Sequence, residues 1–353
     1  MTFDIAPFHY YLPAEWHPQE AIMLTWPHKD TDWAPYLEKV TATFVELARA
    51  IVQREKLLIV AQDVNSTRQL IRREVGVELA SRVSYAQCPT NDTWARDHGP
   101  LTLISPDGGE PLLLDFKFNG WGEKFNWQKD NDITRRAYEQ HLFSGRRIDL
   151  TDFVLEGGSI ETDGKGTLFT TAACLLAPHR NQPMTEKEID LQLRRLFQVE
   201  RVVWLRHGHL IGDDTDGHID TLVRTAPDDT LVYVGPGPEN DEQHEELAAM
   251  EQELQQLTTL DGHPYRLLRL PLPDPVYYEG ERLPATYANY VIINGAVIVP
   301  TYHQPKHDAE ALRIVAEAYP GREVVAIDAS VVVRQHGSLH CLTMQTPITI
   351  HNS

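Results

Sequence analysis

At 353 residues, with 42% hydrophobic and 24% charged positions, the chain has a globular composition, which excludes a disordered, collagen-like or coiled-coil protein. No run of about 18 apolar residues occurs, so no spanning helix is expected. The net charge of -19, from 51 acidic against 32 basic residues, disfavours nucleic acid and anionic membranes; it favours cationic ligands and also simply aids solubility.

The first sixteen residues lack a basic start followed by an apolar core, so they do not read as a secretory signal. Hydrophobic periodicity then predicts a helix over residues 36–53 and a buried strand over 56–62. Strand-like stretches follow at PLLLDFKFN and TLFTTAACLL. An amphipathic helix is expected over 185–197, then a strand over 201–206 and another at TLVYVG. A polar helix over 241–257, the strands of VIINGAVIVPTY, a helix over 309–318 and a strand over 322–329 complete the series. Pro and Gly are spread evenly and no linker stands out, so residues 1–353 read as a single α/β domain.

Polar residues in Gly-rich or aromatic turns recur at Asp97, Glu156, His218, Asn289 and Cys341, with gaps of 59, 62, 71 and 52. This spacing suggests repeated β/α modules around a shared axis. Three cysteines are present, Cys88, Cys174 and Cys341, with no CxxC pair. Neither a disulfide framework nor a thiolate zinc site fits, and a reducing cytoplasm does. Cys174, inside an apolar stretch, and Cys88 read as buried apolar thiols. Cys341, flanked by His336 and His340, reads either as another buried thiol or as a nucleophile of lowered pKa.

The stretch from His207 to Asp220 is rich in metal-type ligands. An EF-hand reading fails, because Gly212 stands first and Val223 twelfth. His207, His209 and His218 match no zinc spacing. In an extended segment, His218 and Asp220 would share a face, placing a general acid/base beside a cation-binding group. In WARDHGP the plain reading is an Arg96–Asp97 surface pair; in LEGGSI it is a strand-end turn after Glu156, whose glycines also allow close approach to a ligand.

Taken together, WARDHGP, FNGWGEKFNWQKDN, LEGGSIETDGKGTLFTTAACLL, DDTDGHIDT, ATYANYVIINGAVIVPTY and GSLHC resemble the agmatine deiminase family. It is also called the Porphyromonas-type peptidyl-arginine deiminase family, within the guanidine-modifying pentein superfamily. The resemblance implies a five-bladed pseudo-fivefold α/β propeller with its site on the axis. It makes Cys341 the nucleophile, His218 the acid/base, Asp97 and Asp220 the guanidinium clamps and Glu156 a carboxylate close to the His and substrate. Trp94, Asp214 and Asn289 join the substrate pocket. Asp214 stands where many agmatine enzymes carry Glu, and Gln-His-Gly-Ser-Leu replaces their Gly-rich run before His-Cys, which leaves the contacts to the far end of the substrate open. The implied reaction is hydrolysis of agmatine without metal or organic cofactor. Deimination of peptidyl or free arginine is the alternative, followed by a catalytically dead guanidine-binding module and an amidinotransferase. Nucleic acid and membrane are not expected as partners, and a homo-oligomer is left open.

Overall fold

Strands in the computed structural model, which describes residues 9–349, come in five sets of one pattern. In each set the first strand pairs antiparallel with the second, and the second pairs parallel with a third. Leu101–Leu103, Leu112–Lys117 and Arg146–Val154 form one such sheet. Ile160–Thr162, Thr167–Thr171 and Arg201–Leu205 form the next. Val223–Ala226, Thr230–Val234 and Arg266–Leu270 follow, then Val291–Ile293, Ala296–Thr301 and Glu323–Asp328. The fifth set joins the chain's two ends: C-terminal Thr343–Pro347 runs antiparallel to Gln19–Thr25, which pairs parallel with Lys56–Ala61, itself followed by Val83–Gln87. A short hairpin, Val276–Tyr278 with Glu281–Leu283, stands apart. Residues 1–8 of the N-terminal segment and 350–353 of the expected domain lie outside the described residues.

A parallel pair needs a crossover, and here each is helical. Leu37–Val52, Val64–Val75, Ile133–Glu139, Glu186–Phe197, His244–Gln256 and Pro305–Ala318 fill this role. In the first, Val40, Phe44, Leu47, Ala48 and Ile51 recur at spacings of three and four and are buried, as an amphipathic stripe requires. Such a Phe or Leu contributes about 1.5–3 kcal/mol by burial. Glu186–Phe197 starts with a capping box, in which the Thr185 hydroxyl accepts from the Glu188 N–H and the Glu188 carboxylate accepts from the Thr185 N–H. Val291–Ile293 is buried on both faces, which explains its unbroken apolar sequence.

One consequence of this repeat positions the site. Asp97, Glu156, His218, Asn289 and Cys341 each lie two to five residues before the first strand of their set. Five sequence-distant turns thus occupy equivalent places in five sheets. Among the described residues, no helix is long and apolar enough to cross a membrane.

Candidate active site

A cavity of about 510 Å³ has Cys341, Asp97, Trp94 and Trp121 among its lining residues. Asp32, Asp92, Asp214, Glu279 and Glu281 add five more acids against a single arginine, Arg334. Such a cavity attracts cations.

Cys341 follows a turn in which His336 takes a left-handed conformation (φ 65°) and Gly337 lies against Trp94. A Cβ at Gly337 would fall 2.2 Å from the Trp94 ring, so only glycine admits this wall. The thiol donates to Asn289 Oδ1 at 3.3 Å and lies 3.9 Å from Asp220 Oδ2. Asn289 Oδ1 also accepts the N–H groups of His340 (3.0 Å) and Cys341 (3.2 Å). Asn289 therefore fixes the turn that carries Cys341 and is not among the residues lining the cavity. The flanking histidines do not lower the thiol's pKa. His336 Nδ1 donates to Gly212 O at 2.6 Å, and His340 turns to Asp220 and Glu15. Burial, with the carboxylates of Asp220 and Asp97, holds the thiol well above its usual range. The reading of a low-pKa cysteine is corrected for the free protein.

Asp97 is buried within the short helix Ala95–His98, and Arg96 beside it is buried too, so neither forms a surface pair. Asp97 Oδ1 accepts from Gly158 N–H and Oδ2 from the Trp121 indole, both at 3.0 Å. Burial raises its pKa to about 6, with His218 opposing and Asp220 and Glu156 reinforcing the rise. Trp121 reaches it from a left-handed backbone (φ 56°) between Gly120 and Gly122, a strained conformation for a bulky residue.

His218 and Asp220 do not lie in an extended segment. His218 precedes the 3-10 turn Ile219–Thr221, and both side chains are buried. Burial pushes the His218 imidazole down, but Asp97, at 3.6 Å from Nδ1, then Cys174 and Glu156 outweigh it and hold the ring well above its usual range. Neither ring nitrogen completes a hydrogen bond. Asp220 Oδ2 accepts from His340 Nδ1 at 2.7 Å, while its Oδ1 is buried without a partner. Burial alone would raise the Asp220 pKa; His340, His218 and Arg224 lower it. A buried unpaired acceptor is costly, so Asp220 Oδ1 and the His218 ring mark places shaped for a ligand. Gly158 sits among them: a Cβ there would meet His218 Nδ1 at 2.6 Å and Asp97 Oδ1 at 2.8 Å.

Glu156 is buried beside His218 and Cys174, off the cavity wall. Arg180 Nε lies 2.9 Å from Glu156 Oε1, an ion pair outside hydrogen-bond angles. The same arginine binds Asp216 Oδ2 (2.8 Å) and Thr215 O (3.0 Å), tying the loop before His218 to Glu156. Asp214 does line the cavity, and burial raises its pKa to about 6 against the pull of His336.

Several residues that surround the site escaped the sequence reading. Cys174 lies in the short helix Ala172–Leu175, not in a strand, and its thiol faces the His218 cluster. Trp121 and Gly158 were visible only as parts of longer motifs, and Arg180, Glu15 and Arg224 carried no motif at all.

Known proteins resemble this chain along nearly its whole length. The family model for Porphyromonas-type peptidyl-arginine deiminase matches residues 11–347. The chain is 31% identical to the agmatine deiminase of Stutzerimonas stutzeri, over 96% of this chain and 95% of that one. A structure of a serine-for-cysteine C. jejuni agmatine deiminase with substrate bound superposes with a TM-score of 0.88 at 34% identity, covering 99% of this chain and 100% of that one. A Porphyromonas gingivalis protein described as a candidate arginine deiminase superposes at 0.90 with 49% identity, covering 96% of this chain and 98% of that one. With the match running along nearly its whole length, the chain belongs to the Porphyromonas-type peptidyl-arginine deiminase family.

Proposed function

We propose that the protein hydrolyses agmatine to N-carbamoylputrescine and ammonia through a covalent amidino-Cys341 intermediate. One observation carries the reading: the Cys341 thiol and Asp97 line an acidic cavity, and buried directly behind them are Asp220, 3.9 Å from the thiol, and the His218 imidazole, 3.6 Å from Asp97. A protonated guanidinium is a resonance-stabilised cation with a poorly electrophilic carbon. Asp97 and Asp220 bind its N–H groups by charge-assisted hydrogen bonds. That same charge offsets the two carboxylates that hold the thiol up, so substrate binding promotes the thiolate.

As the guanidinium binds, the thiol releases its proton to solvent, and the thiolate adds to the guanidinium carbon, giving a neutral tetrahedral centre. His218, protonated in the free site, gives its proton to one nitrogen, and ammonia leaves. The ring, now neutral, takes a proton from water as the oxygen adds to the amidino carbon. On collapse to the urea the hydroxyl proton passes to the sulfur, Cys341 leaves as the thiol, and the ammonia takes up a proton from solvent. Electrostatic stabilisation here comes from acids, since no oxyanion forms in the first step.

Asp214 and the other wall acids suit the distal ammonium of agmatine. In this reading the five sheets are five blades of one propeller domain spanning the chain, and its location is cytoplasmic. Mass spectrometry of the agmatine reaction tests the activity: the ureido product is expected, and unchanged agmatine overturns the reading.

One observation favours the second reading, arginine deimination. Arg334 lines the cavity, stacked 4.7 Å from the Tyr278 ring centre and 5.5 Å from that of Tyr36, with no ion pair among the described residues. A carboxylate beyond the guanidine chain would find a cation there. Comparing kcat/KM for agmatine, arginine and a blocked arginine peptide, before and after Arg334→Gln, separates the two.

A further inference from the structure

Behind the cavity lies a buried group of charges of which the reaction uses only Asp220. His340 Nδ1 is 2.7 Å from Asp220 Oδ2, and its Nε2 is 2.7 Å from Glu15 Oε2. The two short contacts are to carboxylate oxygens, which accept and do not donate, so each ring nitrogen carries a proton and His340 is an imidazolium; Arg224 Nη2 also lies 3.1 Å from Nε2, where both donate to the same Glu15 oxygen. Glu15 uses both oxygens: Oε1 accepts the Ile292 N–H at 3.0 Å, and Oε2 also accepts from Arg224 Nη2 at 2.5 Å. Arg224 Nε donates to Glu161 Oε2 at 2.9 Å, and Arg96 Nη2 lies 4.0 Å from Glu15. All six side chains are buried. Three carboxylates, Glu15, Glu161 and Asp220, face three cations, His340, Arg224 and Arg96, so the group is neutral as a whole. Removing one member of such a buried set leaves an uncompensated charge.

We propose that Glu15 is a positioning residue of this site: through the imidazolium of His340 it keeps Asp220 ionised and turns its free Oδ1 toward the substrate guanidinium. The proposal rests on the deiminase reading above. Glu15 lies at the start of the chain and Asp220 in its middle. They meet because the C-terminal strand after Cys341 pairs with Gln19–Thr25. Besides His340, the groups acting on Asp220 are Cys341 at 3.9 Å, His218, Arg224, and Asp97 and Arg96 at longer range. Among them His340 makes the short charge-assisted bond to its carboxylate, at 2.7 Å against 3.9 Å from the Cys341 thiol. Burial would lift the Asp220 pKa, and His340 heads the causes that bring it down.

The sign of the effect follows. Without the Glu15 charge the pair that holds the His340 ring against Asp220 is unbalanced, Asp220 loses its bonded cation, and its carboxyl protonates at higher pH. Glu15→Gln retains an acceptor for His340 and removes only the charge. In the full-length enzyme, kcat/KM for agmatine at pH 6.5 should fall at least about tenfold relative to the unaltered chain, corresponding to one pKa unit, mainly through KM. The deficit should shrink to under about threefold at pH 9, where Asp220 ionises regardless. A merely structural lesion gives a deficit that does not change with pH. A flat ratio, or no deficit, overturns the proposal.

A second measurement needs neither turnover nor a folded variant. Nitrogen-15 NMR of the histidine-labelled, unaltered protein should find both His340 ring nitrogens protonated at pH 7; a neutral ring there overturns the proposal. If the unaltered enzyme leaves agmatine untouched, the deiminase reading falls, and the NMR result still decides whether Glu15 holds His340 charged.

Discussion

The Asp97 side of the site and the Asp220 side are built from opposite materials. Asp97 is held by neutral donors, an indole N–H and a backbone N–H, and burial lifts its pKa to about 6. Asp220 is held by the charged ring of His340 and is pushed down. In the proposed reading both carboxylates bind one guanidinium, yet Asp220 takes a hydrogen bond from a cationic ring and Asp97 has its cation, His218, 3.6 Å away. The difference shows how one site can hold two buried acids close together with different proton affinities.

The largest effect should come from the residue between them. Cys341→Ser should lower kcat by more than about 1,000-fold while circular dichroism stays unchanged, since a hydroxyl is far less nucleophilic than a thiolate. Intact-mass measurement of a slow variant such as His218→Asn should find an amidino adduct on Cys341.

Next, Asp97→Asn and Asp220→Asn should each cost roughly 2–5 kcal/mol in kcat/KM, about 30-fold to several thousand-fold. A loss below tenfold in both would remove them as clamps, since exposed charges cost under about 1 kcal/mol.

The pair should separate by pH. The raised Asp97 pKa means that the folded state holds this proton more tightly than the unfolded chain, whose ordinary aspartate value is about 3.9. Stability of the free protein from this group is therefore greatest at low pH and falls as pH rises from about 4 to about 6. Asp97→Asn should raise the melting temperature of the free enzyme at pH 7, by about 1–3 kcal/mol of stability, and Asp220→Asn should not. Differential scanning calorimetry without substrate sharpens or breaks the contrast.

Gly158→Ala should cost about tenfold or more in kcat/KM with little change in substrate-free melting, because its Cβ would press on both His218 and Asp97. The smallest effect belongs to the wall. Asp214→Asn should reduce kcat/KM for agmatine about tenfold or less and leave a simple alkylguanidine almost unchanged. Equal losses for both substrates would place Asp214 outside the distal-amine contact.

The sequence by itself determined the modules. Period-3.6 and apolar stretches located Leu37–Val52, Lys56–Ala61, Glu186–Phe197 and Glu323–Asp328 to within a few residues, because each buries a stripe or a whole face against its own neighbours. It also singled out Asp97, Glu156, His218, Asp220, Asn289 and Cys341, since motif resemblance reads residue types in order. Its errors arose where local pattern and local conformation part. The apolar run at Cys174 looked like a strand, but a Thr171 cap turns it into a helix, and His218 and Asp220 meet through a 3-10 turn. What only the tertiary structure decided is which charges touch. Glu15 and His340 are 325 residues apart, and Trp121 donates to Asp97 from another turn. No spacing rule reaches across such separations. Pairing of the two chain ends in one sheet brings Glu15 beneath Cys341, and the low dielectric of that interior makes the placement set the charge of Asp220.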